Sequence, residues 1–251
     1  MPDTAPQILR REPKENRNPL MHIILMGPQG SGKGTQSERV RSRLGLGSIA
    51  TGELFRAAIQ GGTELGKQIQ AVYERGELVP DDLTIALVEE RLDQLAGERS
   101  HGATILGALY DGFPRTIAQA DALRQTLRKR GEAVTAVIAI DVPREILIER
   151  LTGRRVCATC GRVYNVLFDP PAVDGVCDVC GGPILQRADD TPEAVAKRLD
   201  LYDVETAPLL DRYEKEGLVE WVDGDRAIDE VTEAIIAVIE SRMTLSTQHV
   251  R

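Results

Sequence analysis

The sequence has few aromatic residues and no long apolar run. Aromatic side chains make up 4% of its 251 residues, so we expect a core built mainly from aliphatic side chains. No stretch approaches the roughly 20 consecutive apolar residues that a membrane-spanning helix needs. Residues 1–20 are polar and lack the apolar centre of a secretory signal. We therefore expect a cytoplasmic protein without a membrane partner.

The chain also lacks an excess of positive charge. Its formal net charge is −8 at pH 7, which argues against nucleic acid or an anionic membrane surface as a partner. Phosphate ligands are not excluded, because a cleft can be locally basic on an acidic protein. Hydrophobic residues make up 42% of the chain and charged residues 28%, as is usual for a soluble globular protein.

Cysteine is confined to four positions in one short segment. Two C-x-x-C pairs are separated by sixteen residues, and they consist of Cys157, Cys160, Cys177 and Cys180. This spacing is typical of a zinc site. Four thiolates complete a tetrahedral zinc and leave no open position, so the metal would be structural. Two disulfides or four free thiols are the alternatives, and a reducing cytoplasm disfavours the disulfides.

Strand and helix patterns alternate along the chain, which predicts a parallel sheet with helices on both faces. We expect five strands, over 22–26, 47–50, 105–110, 134–140 and 218–222. The helices are expected over 32–44, 82–95, 120–129, 144–151 and 193–213, the last bent near Pro208. A closing helix carries an apolar stripe formed by Ile228, Val231, Ile235 and Ile239. A polar loop is expected over 97–102.

Two segments interrupt this alternation and define the expected domain organisation. A small helical insert covers 51–79, and a Gly-, Pro- and Cys-rich segment covers 153–190. The divisions expected are a disordered extension (1–20), a core domain (21–50, 80–152 and 191–243), the helical insert, a zinc-binding lid (153–190) and a tail (244–251). Both inserts begin near strand ends or after a helix, so they border one cleft in this interpretation.

A glycine-rich loop joins the first strand to the first helix. Residues 27–35 read GPQGSGKGT, a variant of the phosphate-binding loop in which Gly34 separates Lys33 from Thr35. Glycines let backbone N–H groups approach an anion, and the helix N-terminus adds a positive dipole end. Lys33 supplies a cation for the outer phosphates, and Thr35 can orient Mg²⁺. The loop predicts a fold of the P-loop NTPase type, but it does not distinguish a kinase from an ATPase or a GTPase.

Further motifs bring arginines to strand ends and to the borders of the inserts. TGELFR opens the helical insert, DGFPRT follows the third strand, GRR enters the cysteine segment and RADD leaves it. Together with GxxGxGKGT, CGRVY, KRL and TAPL, in this order and spacing, they resemble the adenylate kinase family with a long zinc-binding lid. The resemblance extends from Met21 to about Asp229.

The resemblance implies the activity, the ligands and the assembly. It implies reversible, Mg²⁺-dependent transfer of a phosphoryl group from ATP to AMP, with two ADP as products, structural zinc in the lid, and a monomer. No general base is required, because the phosphate of AMP is already largely ionised. Two polyphosphates repel each other, and arginine binds phosphate bidentately, so catalysis rests on positioning and charge stabilisation.

The resemblance also implies roles for individual residues. ATP binding is implied for Gly30, Ser31, Gly32, Lys33, Gly34, Thr35, Arg150, Arg154, Val163, Tyr164 and Arg226. AMP binding is implied for Thr51, Arg56, Glu77, Leu78, Val79, Gly112, Phe113, Pro114, Arg115, Gln119, Arg187 and Arg198. The catalytic set is Lys33, Asp111, Arg115, Arg150, Arg187 and Arg198, with Asp111 supporting Mg²⁺ through water.

Two other functions remain as alternatives at this point. One is a related kinase that uses GTP as the donor or another nucleoside monophosphate as the acceptor. The other is an inactive nucleotide-binding scaffold that carries a zinc knuckle. The sequence departs from the family in the stretch 97–107, which is several residues longer than usual.

Overall fold

A five-stranded parallel sheet forms the centre of the protein. The structure is a computed structural model that describes residues 20–62, 64–73, 79–187 and 190–248. The strands are β1 (Met21–Met26), β2 (Leu46–Ala50), β3 (Gly107–Asp111), β4 (Val134–Asp141), β5 (Arg154–Cys157), β6 (Val163–Asn165), β7 (Ile184–Leu185) and β8 (Val219–Asp223). The central sheet has the order β2-β3-β1-β4-β8, with all pairs parallel. The predicted fold class is confirmed.

Helices cover both faces of this sheet. They are α1 (Lys33–Leu44), α2 (Thr51–Gln60), α3 (Glu64–Tyr73), α4 (Asp81–Ser100), α5 (Ile117–Lys129), α6 (Arg144–Thr152), α7 (Pro192–Leu201), α8 (Pro208–Lys215) and α9 (Ile228–Gln248). A π-helical turn, Tyr202–Thr206, joins α7 to α8. Among the described residues, no helix has both the length and the apolar character needed to cross a bilayer.

The side chains of β1 alternate between two apolar clusters, as expected for a strand buried on both sides. Ile23 and Leu25 belong to a cluster with residues of α1, α6, α7 and α9. Ile24 and Met26 belong to a second cluster with residues of α4, α5 and α8. Burial on both faces fixes the register of β1, and with it the position of the loop that follows Met26.

Helix α4 is longer than predicted. It continues to Ser100, whereas a polar loop was expected from Gly97. A single glycine within a helix costs only about 1 kcal/mol relative to alanine, so Gly97 does not end the helix. The chain turns instead at Gly102, which has a φ of 96°. The long stretch after residue 96 therefore begins as one further turn of α4.

The predicted long helix over 193–213 consists of three parts. The π-helical turn separates α7 from α8, and Pro208 is the first residue of α8. The α-helical pattern is therefore interrupted before the proline, by the π-helical turn. In α9, Val231, Ile235 and Ile239 are buried as predicted. Ile228, the first residue of the helix, is 45% exposed.

The two predicted inserts differ in their structure. The helices α2 and α3 share a small apolar cluster that includes Phe55, Ile69 and Val79. The cysteine segment forms an antiparallel sheet with the order β6-β5-β7. Residues 1–19 and 249–251 lie outside the described residues, and so do 74–78, with the break predicted at Gly76. Leu20, assigned to the extension, is described and buried.

Candidate active site

The glycine-rich loop lies between the carboxyl end of β1 and the first turn of α1. Gly27, Gly30 and Gly32 have positive φ angles of 148°, 87° and 92°, which glycine adopts without strain. A Cβ atom on Gly27 would lie 2.7 Å from Ser31 Oγ and 2.8 Å from the carbonyl oxygen of Ile140. Larger residues are therefore excluded where the loop must curl round an anion.

Lys33 begins α1 and points back across the loop. Its Nζ donates hydrogen bonds to the carbonyl oxygens of Gly27, at 2.6 Å, and Pro28, at 2.8 Å. The pKa of Lys33 is lowered from 10.5 to about 8, mainly by burial; Asp111 opposes the shift, and the positive charges of Arg115, Arg154 and Arg198 contribute to it. The loop thus holds a buried cation whose charged form an anionic ligand would stabilise.

Positive charge converges on Lys33 from three separate parts of the chain. The arginines that influence it are Arg115 after β3, Arg154 at the start of β5 and Arg198 on α7. Successive members of this set are about 40 residues apart in sequence, and the fold brings them to the carboxyl edge of the sheet. This edge is where ligands of open parallel sheets bind.

Two buried side-chain oxygens of this loop are unsatisfied. Ser31 Oγ and Gln29 Oε1 are buried and have no hydrogen-bond partner within the described part of the chain. Since an unsatisfied buried polar atom is costly, both atoms suit a ligand that brings hydrogen-bonding groups. Gln29 was not predicted as a site residue. Its polar side chain within the glycine-rich loop was the available indication.

A cavity beside Lys33 is lined by residues from several elements. The charged and polar side chains in its lining are Gln29, Lys33, Asp111, Arg115, Arg198, Tyr202, Glu205 and Thr206. The last three belong to the π-helical turn and were not predicted as site residues. Thr206 Oγ1 donates to the carbonyl oxygen of Arg115 at 3.2 Å, so the turn fixes the loop that carries this arginine. The TAPL motif, which starts at Thr206, was the available signal.

Further predicted residues meet at Gly112, directly after Asp111. Thr51 Oγ1 and Arg115 Nε both donate to the carbonyl oxygen of Gly112, at 3.0 and 2.8 Å. A Cβ atom on Gly112 would lie 2.9 Å from both Thr51 Oγ1 and Arg115 Nη2. The structure therefore joins the TGELFR and DGFPRT motifs through one backbone carbonyl.

The remaining residues predicted for this side are placed as follows. Gln119 accepts a hydrogen bond from the backbone N–H of Arg115 at 2.7 Å. Phe113 is buried, Pro114 lines the cavity beside Lys33, Val79 is buried in the cluster of the helical insert and Arg56 is exposed on α2. Glu77 and Leu78 lie outside the described residues.

One buried carboxylate holds two of the arginines. Asp190 accepts from Arg154 Nε at 2.8 Å and also from Arg154 Nη2, so the pair is bidentate. Arg198 Nη1 lies 3.4 Å from the same carboxylate. Asp190 is fully buried and connects a lid arginine to a core arginine. The RADD motif contains Asp190, but the sequence interpretation gave it no role.

Other predicted arginines lie apart from this group. Arg150 donates to the carbonyl oxygen of Gly224 at 3.0 Å and pairs with Asp225 at 3.3 Å, and Arg226 pairs with Asp223 at 2.9 Å. Both arginines thus lie at the loop after β8. Arg187 is exposed beside the last strand of the lid. In this structure only part of the predicted arginine set surrounds Lys33.

The four cysteines form a cluster suited to zinc. Their sulfur atoms all lie within 4.8 Å of one another. The Cys157–Cys180 distance is 3.5 Å and the Cys160–Cys177 distance is 3.6 Å. Four sulfurs at about 2.3 Å from a tetrahedral zinc are about 3.8 Å apart, whereas a disulfide bond is about 2.05 Å long. The sulfurs are not bonded to one another, which excludes the disulfide alternative in this structure.

Tyr164 points into this cluster. Its hydroxyl lies 3.3 Å from Cys177 Sγ, accepts a hydrogen bond from the backbone N–H of Asp178 at 2.9 Å, and lowers the pKa of Cys177 to about 6. The side chain is buried, whereas that of neighbouring Val163 is 46% exposed. The alternation of β6 therefore turns the Tyr164 ring toward the cysteines and the Val163 side chain toward solvent.

Comparison with known proteins identifies the group to which these features belong. The family model described as adenylate kinase matches residues 25–218. Over 215 residues the chain is 51% identical to the adenylate kinase of Moorella thermoacetica, covering 86% of this chain and 96% of that protein. It is 50% identical to the adenylate kinase of Carboxydothermus hydrogenoformans, with coverages of 86% and 97%. With the enzyme of Staphylococcus aureus strain Mu50 the identity is 44%, and the coverages are 88% and 99%.

Proposed function

The chain belongs to the adenylate kinase family, and we propose that the residues around Lys33 catalyse the reversible transfer of a phosphoryl group from ATP to AMP. The products are two molecules of ADP. The observation that carries this proposal is the convergence of Lys33, Arg115, Arg154 and Arg198 at one edge of the sheet. A site that joins two anionic substrates needs such a concentration of positive charge.

ATP binds, in this proposal, through its phosphates to the loop 30–35. Backbone N–H groups at the start of α1 point toward the anion, and Lys33 exchanges its bonds to Gly27 and Pro28 for phosphate oxygens. Ser31 Oγ gains the partner that it lacks. Arg150 and Arg226, which meet at the loop after β8, border the nucleoside of ATP.

AMP binds on the opposite side of Asp111. Thr51 and Arg115 are fixed at Gly112, and Arg115 contacts the AMP phosphate in this proposal. Arg56, Val79, Phe113, Pro114 and Gln119 line the rest of the acceptor site, together with the predicted Glu77 and Leu78. The two phosphates then face each other across a short gap, which suits an in-line displacement.

Transfer requires charge stabilisation rather than a protein base. The AMP phosphate supplies the nucleophilic oxygen in ionised form, and Arg115, Arg154, Arg187 and Arg198 neutralise the charge that spreads over the transferred group. Closure of the lid brings Arg154 and Arg187 inward and excludes water, which would otherwise compete as the acceptor.

Magnesium is the metal proposed for this site. Asp111 and Thr35 would hold it, Asp111 through water. The carboxylate borders the phosphate loop, since a Cβ atom on Gly34 would lie 3.8 Å from Asp111 Oδ2. When bound, Mg²⁺ would neutralise part of the charge on the phosphates.

Zinc is proposed as a structural ion of the lid. Cys157, Cys160, Cys177 and Cys180 supply four sulfurs at suitable separations. The lid buries only a few residues of its own, so a metal would replace the missing core. The unbonded thiols also fit a reducing compartment, and we propose that the protein is cytoplasmic. We also propose that it is a monomer, which light scattering of the purified protein would test.

The direct test is ADP formation by purified protein from ATP, AMP and Mg²⁺. Rates with GTP as donor, and with UMP or CMP as acceptor, address the alternative kinases; a clear preference for one of them over ATP and AMP would replace the proposal. Lys33→Ala should lower kcat by about 10² to 10³, the typical value of one preorganised charge or donor. Activity near that of the wild type in this variant would favour the scaffold alternative.

A further inference from the structure

The side-chain amide of Gln119 is held at both ends. Its Oε1 accepts from the backbone N–H of Arg115 at 2.7 Å, and its Nε2 donates to Asp81 Oδ1 at 2.6 Å. Gln119 is only 5% exposed and lies in the first turn of α5, whose N-cap is Thr116. The amide is therefore fixed in position within one turn of Arg115.

The chemistry of the two partners fixes which end of the amide is oxygen. The two orientations of a glutamine amide have nearly the same shape, so only hydrogen bonding distinguishes them. The Arg115 N–H can only donate, and an ionised carboxylate can only accept. Turning the Gln119 amide over would oppose two donors at Arg115 and two acceptors at Asp81. Only one orientation satisfies both partners.

Asp81 is itself rigidly held. Its second oxygen, Oδ2, accepts from Thr116 Oγ1 at 2.8 Å. Asp81 is the first residue of α4, and it immediately follows the helical insert 51–79. Its carboxylate therefore connects the exit of the insert to the start of α5. The sequence offered no motif that pairs Asp81 with Gln119.

The fixed amide keeps one hydrogen-bonding site at each end. Oε1 retains a second lone pair, and Nε2 retains a second hydrogen. An acceptor beside a donor matches adenine, which presents its N6 amino group beside the N1 or N7 acceptor. On its N1 side, hypoxanthine presents the reverse, an O6 acceptor beside an N1–H donor. The orientation of Gln119 thus favours one purine over the other.

We propose that Asp81 is a positioning residue that makes the acceptor site select adenine by locking the orientation of the Gln119 amide. The proposal rests on the proposed function, because it takes Gln119 to contact the base of AMP. The backbone N–H of Arg115 supplies one of the two hydrogen bonds that fix the amide, and every variant with a folded loop retains it. Asp81 accepts the second hydrogen bond, and it can be replaced without altering a residue assigned to the substrates.

The test compares AMP with IMP, which differs from AMP at the position that Gln119 would recognise. Asp81→Ala should lower the ratio of kcat/KM for AMP to that for IMP by about fivefold to tenfold, the worth of one hydrogen bond, and leave the KM for ATP unchanged. Asp81→Asn should lie between this variant and the wild type, because its amide oxygen can still accept from Gln119.

The matched control is Asp82→Ala. Asp82 lies next to Asp81 in the first turn of α4 and is exposed, so its removal has the same effect on the helix dipole without touching Gln119. Its AMP/IMP ratio should equal that of the wild type. A role of Asp81 in stability alone would lower the melting temperature and leave the ratio unchanged, and that result would overturn the proposal.

Two further variants keep the outcome decisive. If Asp81→Ala is too unstable to assay, Asp81→Ser replaces it, because the serine hydroxyl is too short to reach Gln119. A lowered AMP/IMP ratio in Asp81→Ser would support the proposal, and an unchanged ratio would overturn it. Gln119→Ala tests the premise separately. An unchanged AMP/IMP ratio in Gln119→Ala would show that Gln119 does not read the base. A changed AMP/IMP ratio in Gln119→Ala together with an unchanged ratio in Asp81→Ala would contradict the role of Asp81 and leave the role of Gln119 in place.

Discussion

At the residue scale, Lys33 combines burial with nearby positive charge. Its ammonium group is held by two backbone carbonyls and lies near three arginines. Asp111 near Lys33, and Asp190 beside Arg154 and Arg198, offset part of this positive charge in the free protein, and the proposed substrates would neutralise the remainder. Such an arrangement favours tight phosphate binding because the repulsion is relieved when the anion enters.

The lowered pKa of Lys33, about 8, predicts a pH dependence of ATP binding. Lys33 is charged below about pH 8 and loses its proton above it, so the affinity of the free protein for a nonhydrolysable ATP analogue should fall as the pH rises through this value. Titration calorimetry at several pH values measures it. In the unfolded chain Lys33 keeps its proton up to about pH 10.5, whereas in the folded protein it loses the proton near pH 8. Between these two values the free energy of unfolding should therefore increase as the pH rises.

Lys33→Arg is the control for this pH dependence. Arginine stays charged throughout the range, so any binding that the variant retains should be nearly independent of pH between about 7 and 9.5. A wild-type affinity that does not change over this range would contradict the environment described for Lys33.

Asp190 gives a prediction about stability. It is buried and bonded to Arg154 and Arg198, so Asp190→Asn should lower the free energy of unfolding by about 3 kcal/mol, as for a broken buried ion pair. Asp200→Asn is the matched control, because Asp200 pairs with Arg144 at the surface and such pairs contribute about 0–1 kcal/mol. Urea denaturation compares them, and equal losses would contradict the role of Asp190.

The sequence reveals residues whose role depends on local conformation better than residues whose role depends on distant partners. The glycines and Lys33 of the phosphate loop, and the cysteine pairs, work within a few positions of one another. Asp81 and Asp190 acquire their roles from Gln119, Arg154 and Arg198, which reach them only through the fold. No spacing along the chain indicates such contacts.

At the element scale, the lid depends on its cysteines for its structure. Its apolar cluster contains Cys157, Tyr164 and Cys177, with Ile184 packed against them. Val166, Leu167, Phe168 and Val179 are exposed, so the lid has little core of its own. A bound ion would therefore supply much of the free energy that keeps β5, β6 and β7 together.

Replacing a cysteine should therefore unfold the lid and spare the core. Cys157→Ser should lower the zinc content of the protein, measured by elemental analysis, and its melting temperature. The affinity for an ATP analogue at the phosphate loop should persist, because the central sheet has two separate apolar clusters. Wild-type protein purified without chelator and free of zinc would contradict the metal assignment.

The boundaries of elements were harder to predict than their existence. Each strand of the central sheet was predicted, with ends that differ from those of the structure by at most two residues. The π-helical turn could not be predicted, since the sequence from Pro192 to Lys215 has one continuous helical pattern. Its consequence, Thr206 held against Arg115, depends on packing between α7, α8 and the loop after β3.

At the scale of the whole molecule, alternation of strands and helices predicted the parallel sheet, but not the order of its strands. The order β2-β3-β1-β4-β8 places β1 between β3 and β4. The loops after β1 and β3 therefore lie side by side, and Lys33 meets Asp111 and Arg115. The motifs of the resemblance supplied the residues of the site, and the strand order explains why they meet.

The proposed reaction requires that cations from distant segments surround the phosphates of both nucleotides. A crystal structure with a nonhydrolysable ATP analogue, AMP and Mg²⁺ tests it most directly. We predict that Lys33, Arg115, Arg154, Arg187 and Arg198 all lie within hydrogen-bonding distance of phosphate oxygens. A complex in which both nucleotides are bound while these guanidinium groups point into solvent would contradict the claim.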